Sequence, residues 1–203
     1  MDSLHRLEEI FSHFPGIGPR QARRFVYYLL NKSPSFIKEF TTLVDEVRKA
    51  TSECPSCHRL FFEKKAGGGI CSLCSDRNRD HTILMIVARD SDFETIEKSG
   101  AYQGLYFILG GAVPLMDKEP DKRIRLKSLL ERVSSSPGIQ EIILSLNTTP
   151  DGEHTATIVK DALLKIVAGG SVRITVLGRG LSTGAELEYV DRETIKNALR
   201  NRQ

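Results

Sequence analysis

The chain has no tryptophan, and only four of its 203 residues are cysteine. No apolar run approaches the ~20 residues that a membrane span needs. Residues 1–11 alternate charged and apolar side chains, a pattern that excludes a signal peptide and makes a cytoplasmic location the expectation. Charge of one sign is also scarce, because the net value of +3 is too small to mark a nucleic-acid binder by itself. The excess is uneven: residues 1–80 hold 13 basic and 10 acidic side chains, leaving 16 of each beyond them. Aromatics are not interleaved with basic residues, which argues against a stacking surface for single strands. His5, His13, His58, His81 and His154 lack metal-ligand spacing. There is no GxxxxGK[ST] phosphate loop, and no Ser-His-Asp or Cys-His set with supporting context. With 40% hydrophobic and 27% charged residues, the chain suits one sizeable core or two or three small ones.

The cysteines that are present stand as Cys54-Pro55-Ser56-Cys57 and Cys71-Ser72-Leu73-Cys74, two CxxC pairs thirteen residues apart. Two such knuckles place four thiolates around one tetrahedral Zn²⁺. Metal binding then supplies folding free energy that a polar, Gly-rich stretch cannot obtain from burial. Two disulfides, or four unrelated thiols, are the alternatives, and a reducing cytosol disfavours the first. Four sulfurs leave no open coordination position, so the expected role is structural. His58 adjoins Cys57 as a competing ligand, with four sulfurs already available. Lys64 and Lys65, between the knuckles, read as a solvated loop with an extra phosphate contact as the alternative.

Upstream, Leu4, Leu7, Ile10, Phe11 and Phe14 recur at helical spacing, predicting an amphipathic helix over 3–13. Pro15-Gly16-Ile17-Gly18-Pro19 stops it. A second helix is predicted from Arg20 to Leu30, with Ala22, Phe25, Val26, Leu29 and Leu30 inward and Ile17 plugging the junction. This helix–PGIG–helix pattern resembles the helix–hairpin–helix DNA-binding motif. Gly16 and Gly18 let the backbone approach a phosphate, and the amides opening the second helix are unsatisfied donors with a positive dipole behind them. Arg20, Arg23 and Arg24 follow, with Arg20 and Arg24 one turn apart to clamp neighbouring phosphates. Salt-sensitive, sequence-tolerant duplex binding is the expectation; a plain helical hairpin with a solvated Arg face is the alternative. Residues 32–53 read as two further short supporting helices, on Phe36, Ile37 and Phe40 and then on Leu43, Val44 and Val47.

Beyond the cysteines the pattern becomes alternating. Strands are predicted at 82–88, 104–109, 141–146 and 172–177. Helices are predicted through Phe93 and Ile96 to Gly100, over 122–134, and over 154–168 with Gly169-Gly170 as its cap. Continuous apolar strands separated by helices imply a mainly parallel sheet covered on both faces. Ligands then belong in the loops after Ala88, Leu109, Leu146 and Leu177. A Gly-rich crossing, 178–184, leads to a last helix over 191–200.

Taken together these segments resemble the RecR family of bacterial recombination mediators. The likeness covers Phe14–Arg24, the CxxC pairs, Gly104-Leu105-Tyr106 with Gly110-Gly111, Asp151-Gly152-Glu153 with Thr155-Ala156, Arg179-Gly180-Leu181, and Gly184 to Tyr189 with Asp191. It implies a multidomain α/β chain: a helix–hairpin–helix region (1–53), a four-cysteine zinc module (54–80), a Toprim-like parallel α/β domain (81–178) and a C-terminal association segment with a helix (179–203). It further implies DNA as ligand, RecO- and RecF-type partners, a ring-like homo-oligomer, recombinase loading on gapped DNA and a nucleoid-associated location. Leu187 and Tyr189 would lie at a subunit interface.

Toprim enzymes need a Glu after the first strand and an Asp-x-Asp after a later one to hold Mg²⁺. The matching positions here are Ala88-Arg89, Asn147 and Thr149, so all three ligands are missing. Arg89 also adds positive charge where the metal would sit, which argues against Mg²⁺. Ala88-Arg89 departs even from the RecR pattern, as do a short 113–120 loop and a long 59–70 linker. A non-catalytic protein is therefore expected. Its rivals are a divergent Toprim nuclease or strand-transferase using Asp151 and Glu153, and an interaction scaffold without DNA binding.

Overall fold

The computed structural model describes residues 2–62, 69–117, 119–167 and 172–202. The chain divides into two compact units, one built on residues 2–51, the other on 52–61 with 69–202. No helix among the described residues is long and apolar enough to cross a membrane.

The first unit consists of helices α1 (Ser3–Ser12), α2 (Pro19–Leu30) and α3 (Pro34–Ala50). Asp2 caps α1 by accepting from the Leu4 N–H at 3.4 Å, and Ser33 caps α3 through the Phe36 N–H at 3.3 Å. Pro19 and Pro34 each open their helix, where a missing N–H costs nothing. Residues 34–50 form one helix rather than two, because no Gly or Pro interrupts the spacing from Phe40 to Leu43. The inner face of α2 is narrower than its sequence predicts. Ala22 and Val26 are buried, Leu29 is half-buried, but Phe25 and Leu30 are 39% and 62% exposed. The small Ala22 lets α1 approach, and Phe11 meets Phe25 at 5.7 Å between ring centres.

The second unit starts with a two-stranded ribbon, β1 (Thr51–Glu53) and β2 (Leu60–Phe62), whose turn carries the first cysteine pair. A short helix, α4 (Ser72–Ser75), carries the second. A parallel sheet follows, built from β3 (Asp80–Val87), β4 (Gly104–Ile108), β5 (Glu141–Ser145) and β6 (Arg173–Val176) in the order β4-β3-β5-β6. Helices α5 (Asp90–Ser99), α6 (Leu126–Ser134) and α7 (Pro150–Val167) make the crossovers, and α8 (Arg192–Arg200) ends the chain behind its Asp191 cap.

Alternation on the strands sorts their side chains onto two faces. Leu84, Ile86, Leu105, Phe107, Ile142 and Leu144 pack against Leu129 and Val133 of α6 and Val159 and Leu163 of α7. The opposite face holds Met85, Val87, Tyr106 and Ile108 under Phe93 of α5 and Leu73 of α4. That second face is covered mainly over β3 and β4; Ile143 on β5 is only half-buried, and β6 presents half-buried Thr175 and exposed Arg173 there. Helices thus lie on both faces as the alternating pattern implies, with α5 and the short α4 covering this one over β3 and β4.

Two helix starts also move. Residues 120–122 form a 3-10 turn and α6 begins at Leu126, because the Arg125 N–H is drawn to the Leu109 carbonyl at 2.8 Å. Helix α7 begins at Pro150, four residues before His154, with the Thr149 hydroxyl accepting from the Gly152 N–H at 3.2 Å. The predicted Gly169-Gly170 cap lies outside the described residues, as do Lys64 and Lys65.

Candidate metal centre and nucleic-acid interface

The sulfurs of Cys54, Cys57, Cys71 and Cys74 all lie within 4.8 Å of one another, and no disulfide joins them. Cys57 and Cys71 are 3.6 Å apart. Tetrahedral Zn–S bonds of about 2.3 Å put ligand sulfurs ~3.8 Å apart, so the cage fits that ion. The first knuckle closes through the His58 N–H to the Cys54 carbonyl at 2.8 Å and the Cys54 N–H to the Arg59 carbonyl at 2.9 Å. The Cys71 N–H reaches the Cys54 sulfur at 3.4 Å. His58 takes φ +60 to make this turn, a conformation that favours glycine. Its ring faces Glu53, Nδ1 to Oε1 at 2.5 Å, and is no part of the sulfur cage.

Hydrogen bonding with Cys57 holds Cys71 far below the ordinary thiol range, while the same contact, with burial, pushes Cys57 far above it. Contact with Cys57 pulls Cys74 down, but contact with Cys71 and burial push it up to about 12 overall. A divalent cation held at this cage would let all four sulfurs bind as thiolates.

In the first unit, Gly16 turns the chain at φ +75 and Gly18 is the N-cap of α2, with no side chain bonded there as a cap. A Cβ built on either glycine meets nothing within 4 Å, so the backbone is open to an approaching anion. Ile17 is half-buried and its N–H bonds the Phe14 carbonyl at 3.0 Å. The three arginines divide. Arg23 donates from Nε to Glu8 at 3.0 Å and so pins α2 to α1. Among the described residues, Arg24 makes a hydrogen bond to Gln21 at 3.3 Å and no ion pair, and Arg20 makes no ion pair. Arg20 and Arg24 are the cations left facing outward.

At the strands' C-terminal ends Ala88 is buried, while Arg89, Asn147 and Thr149 are exposed. The remaining carboxylates hold backbone and arginine. Asp90 accepts from the Leu60 N–H at 2.9 Å, Asp92 from the Arg89 N–H at 3.0 Å and Asp151 from the Leu115 N–H at 3.1 Å; Glu153 pairs with Arg179 at 2.7 Å. Among the described residues no three carboxylates come within 4.8 Å of one another. These carboxylates anchor loops.

Several residues that organise the second unit escaped sequence reasoning. Arg79, 8% exposed, makes a two-pronged bond to Glu97 at 2.7 and 2.9 Å and donates from Nε to the Gly104 carbonyl at 2.9 Å. Glu53 joins His58 to Arg125. No motif marks them, because ordinary Arg and Glu acquire these roles only through the fold.

The four-stranded parallel sheet, with its loop centre beyond β3 and β5, is consistent with a Toprim domain, and residues 82–178 match the Toprim domain. Residues 180–203 match the family described as RecR, C-terminal. Similar proteins include Recombination protein RecR of Lactobacillus helveticus, 32% identical over 199 residues, covering 98% of this chain and 96% of the relative. Those of Chloroflexus aurantiacus and Ruegeria pomeroyi are each 35% identical over 98% of this chain, and over 92% and 96% of their own lengths. The chain belongs to the RecR family.

Proposed function

We propose that this chain is a non-catalytic DNA-binding mediator of recombinational repair. It acts as a homo-oligomeric clamp that works with RecO- and RecF-type partners to load recombinase on gapped DNA in the nucleoid. The observation that carries the reading is the side-chain-free N-terminus of α2, flanked by outward Arg20 and Arg24, in a chain of this family. Gly16, Ile17 and Gly18 shape the turn that meets the phosphates, Arg20 and Arg24 clamp them, and Arg23 sets the hairpin through Glu8. Cys54, Cys57, Cys71 and Cys74 hold one structural Zn²⁺. The functional division is 1–53 for DNA, 54–80 for metal, 81–178 for the Toprim-like domain and 179–203 for association, with Leu187 and Tyr189, 67% and 80% exposed, at the subunit contact. Modest phosphate sites on several copies gain avidity on one duplex.

Occupied carboxylates at the strand ends support the non-catalytic reading over a nuclease or transferase. The relatives' printed name, recombination protein, agrees. Retention on covalently closed against linear duplex, with mass measured in solution, tests the proposal. A clamp stays on the circle longer and forms an oligomer of fixed mass; no affinity for any polynucleotide in dilute buffer would overturn it and leave the scaffold reading.

A further inference from the structure

Among the described residues strand β4 is an edge of the sheet, with β3 as its one strand neighbour. Residues 104–109 read GLYFIL, six residues with neither charge nor proline. On an open edge such a run is a template for pairing with another chain, and natural proteins cover or charge it. Here the cover is the cysteine module. The Leu109 N–H points into the sheet, to the Val87 carbonyl at 2.9 Å, so the Ile108 N–H points outward, and the Cys57 carbonyl accepts it at 2.8 Å. Arg125 Nη1 reaches the Ile108 carbonyl at 3.4 Å, and Arg125 Nη2 donates to Glu53 at 3.2 Å. The other Glu53 oxygen meets His58. A clasp therefore runs from the metal-ligand turn to both the outward N–H and the carbonyl of one edge residue, Ile108. At the strand's far end Arg79 holds the Gly104 carbonyl.

We propose that the four-cysteine centre is a removable guard on the β4 edge: with its ion bound, the Cys54–Cys57 turn closes the edge, and loss of the ion opens it to edge-to-edge pairing with β4 of a second copy. The step is ion exchange alone. Zn²⁺ passes to a chelator, the thiolates take up protons, and no bond is oxidised. The second copy is the occupant because identical apolar, uncharged segments stack in register at no electrostatic cost. The inference rests on the metal reading of the cysteines and is independent of DNA binding.

Hydrogen exchange of the full zinc-loaded chain, kept in a non-thiol reductant with and without chelator, tests it. On chelation the segment 104–109 exchanges at least about tenfold faster, while Leu84–Val87 and Ile142–Leu144 keep their protection. Mass by light scattering then rises with protein concentration, and Zn²⁺ added beforehand prevents the rise. Glu53→Ala, with all four cysteines intact, keeps one equivalent of zinc yet exchanges faster at Ile108 than the parent. Unchanged protection at 104–109 without metal, an equal rise across the central strands, or a mass indifferent to metal overturns the proposal. A chain that takes up no zinc overturns the metal reading with it.

Discussion

Individual side chains contribute here mainly by what they prevent. Gly152 lies buried where β5 passes into α7, and a Cβ there would sit 2.0 Å from the Asn147 carbonyl oxygen, a backbone atom that cannot swing aside. Gly152→Ala is expected to cost about 2–4 kcal/mol in denaturant unfolding. Gly138→Ala, which meets nothing within 4 Å, should stay within about 0.5 kcal/mol of the parent. The arginines of the hairpin separate in the same way. Arg23 is 64% exposed on its ion pair, so Arg23→Ala should lower stability by less than about 1 kcal/mol while leaving the phosphate clamp in place. The cysteines were legible from spacing alone, since two CxxC pairs thirteen residues apart match one tetrahedral four-sulfur centre. The roles of Glu8, Glu53 and Arg79 were not, because a partner fifteen or more residues away leaves no local pattern.

Among the elements, most helices and strands follow from hydrophobic period and from Gly and Pro punctuation. The misreadings lie where tertiary bonds decide the boundary. Arg125 delays α6, and Thr149 with Pro150 starts α7 early. A third misreading, the two short helices in place of α3, imposed a break where no breaker residue stands. Least legible was the way the cysteine module packs on the sheet, through Cys57, Leu73 and Arg79. Arg79 and Glu97 join that module to α5, and the hydrogen bond from Arg79 holds the Glu97 carboxyl below the usual glutamate range. A carboxyl depressed on folding stabilises fully above its unfolded value, ~4.3, and the contribution is lost as pH falls through the lower folded value. Glu97→Gln should therefore unfold about 1–3 kcal/mol more easily at neutral pH, and the gap to the parent should narrow in acid. Thermal or denaturant midpoints of both proteins across pH 3–7 check the sign; a gap that widens in acid contradicts it.

For the molecule as a whole, charge gives little warning of the proposed DNA binding, as the excess is only three cations, all within residues 1–80. What makes the reading specific is the order of parts: an arginine-flanked hairpin, a four-sulfur cage and a Toprim-type sheet whose carboxylates are occupied. Pure protein with Mg²⁺ is accordingly expected to leave DNA uncut under single-turnover conditions. Metal-dependent cleavage abolished by Glu153→Ala would return the enzyme reading. The measurement that bears most directly on the central claim is duplex affinity against salt, for the parent and for Arg20→Ala with Arg24→Ala. Two lost phosphate contacts per binding site should weaken low-salt binding for every sequence and flatten the log–log salt slope by about 2 per engaged hairpin. Equal affinity and equal slope for the two proteins would contradict the account.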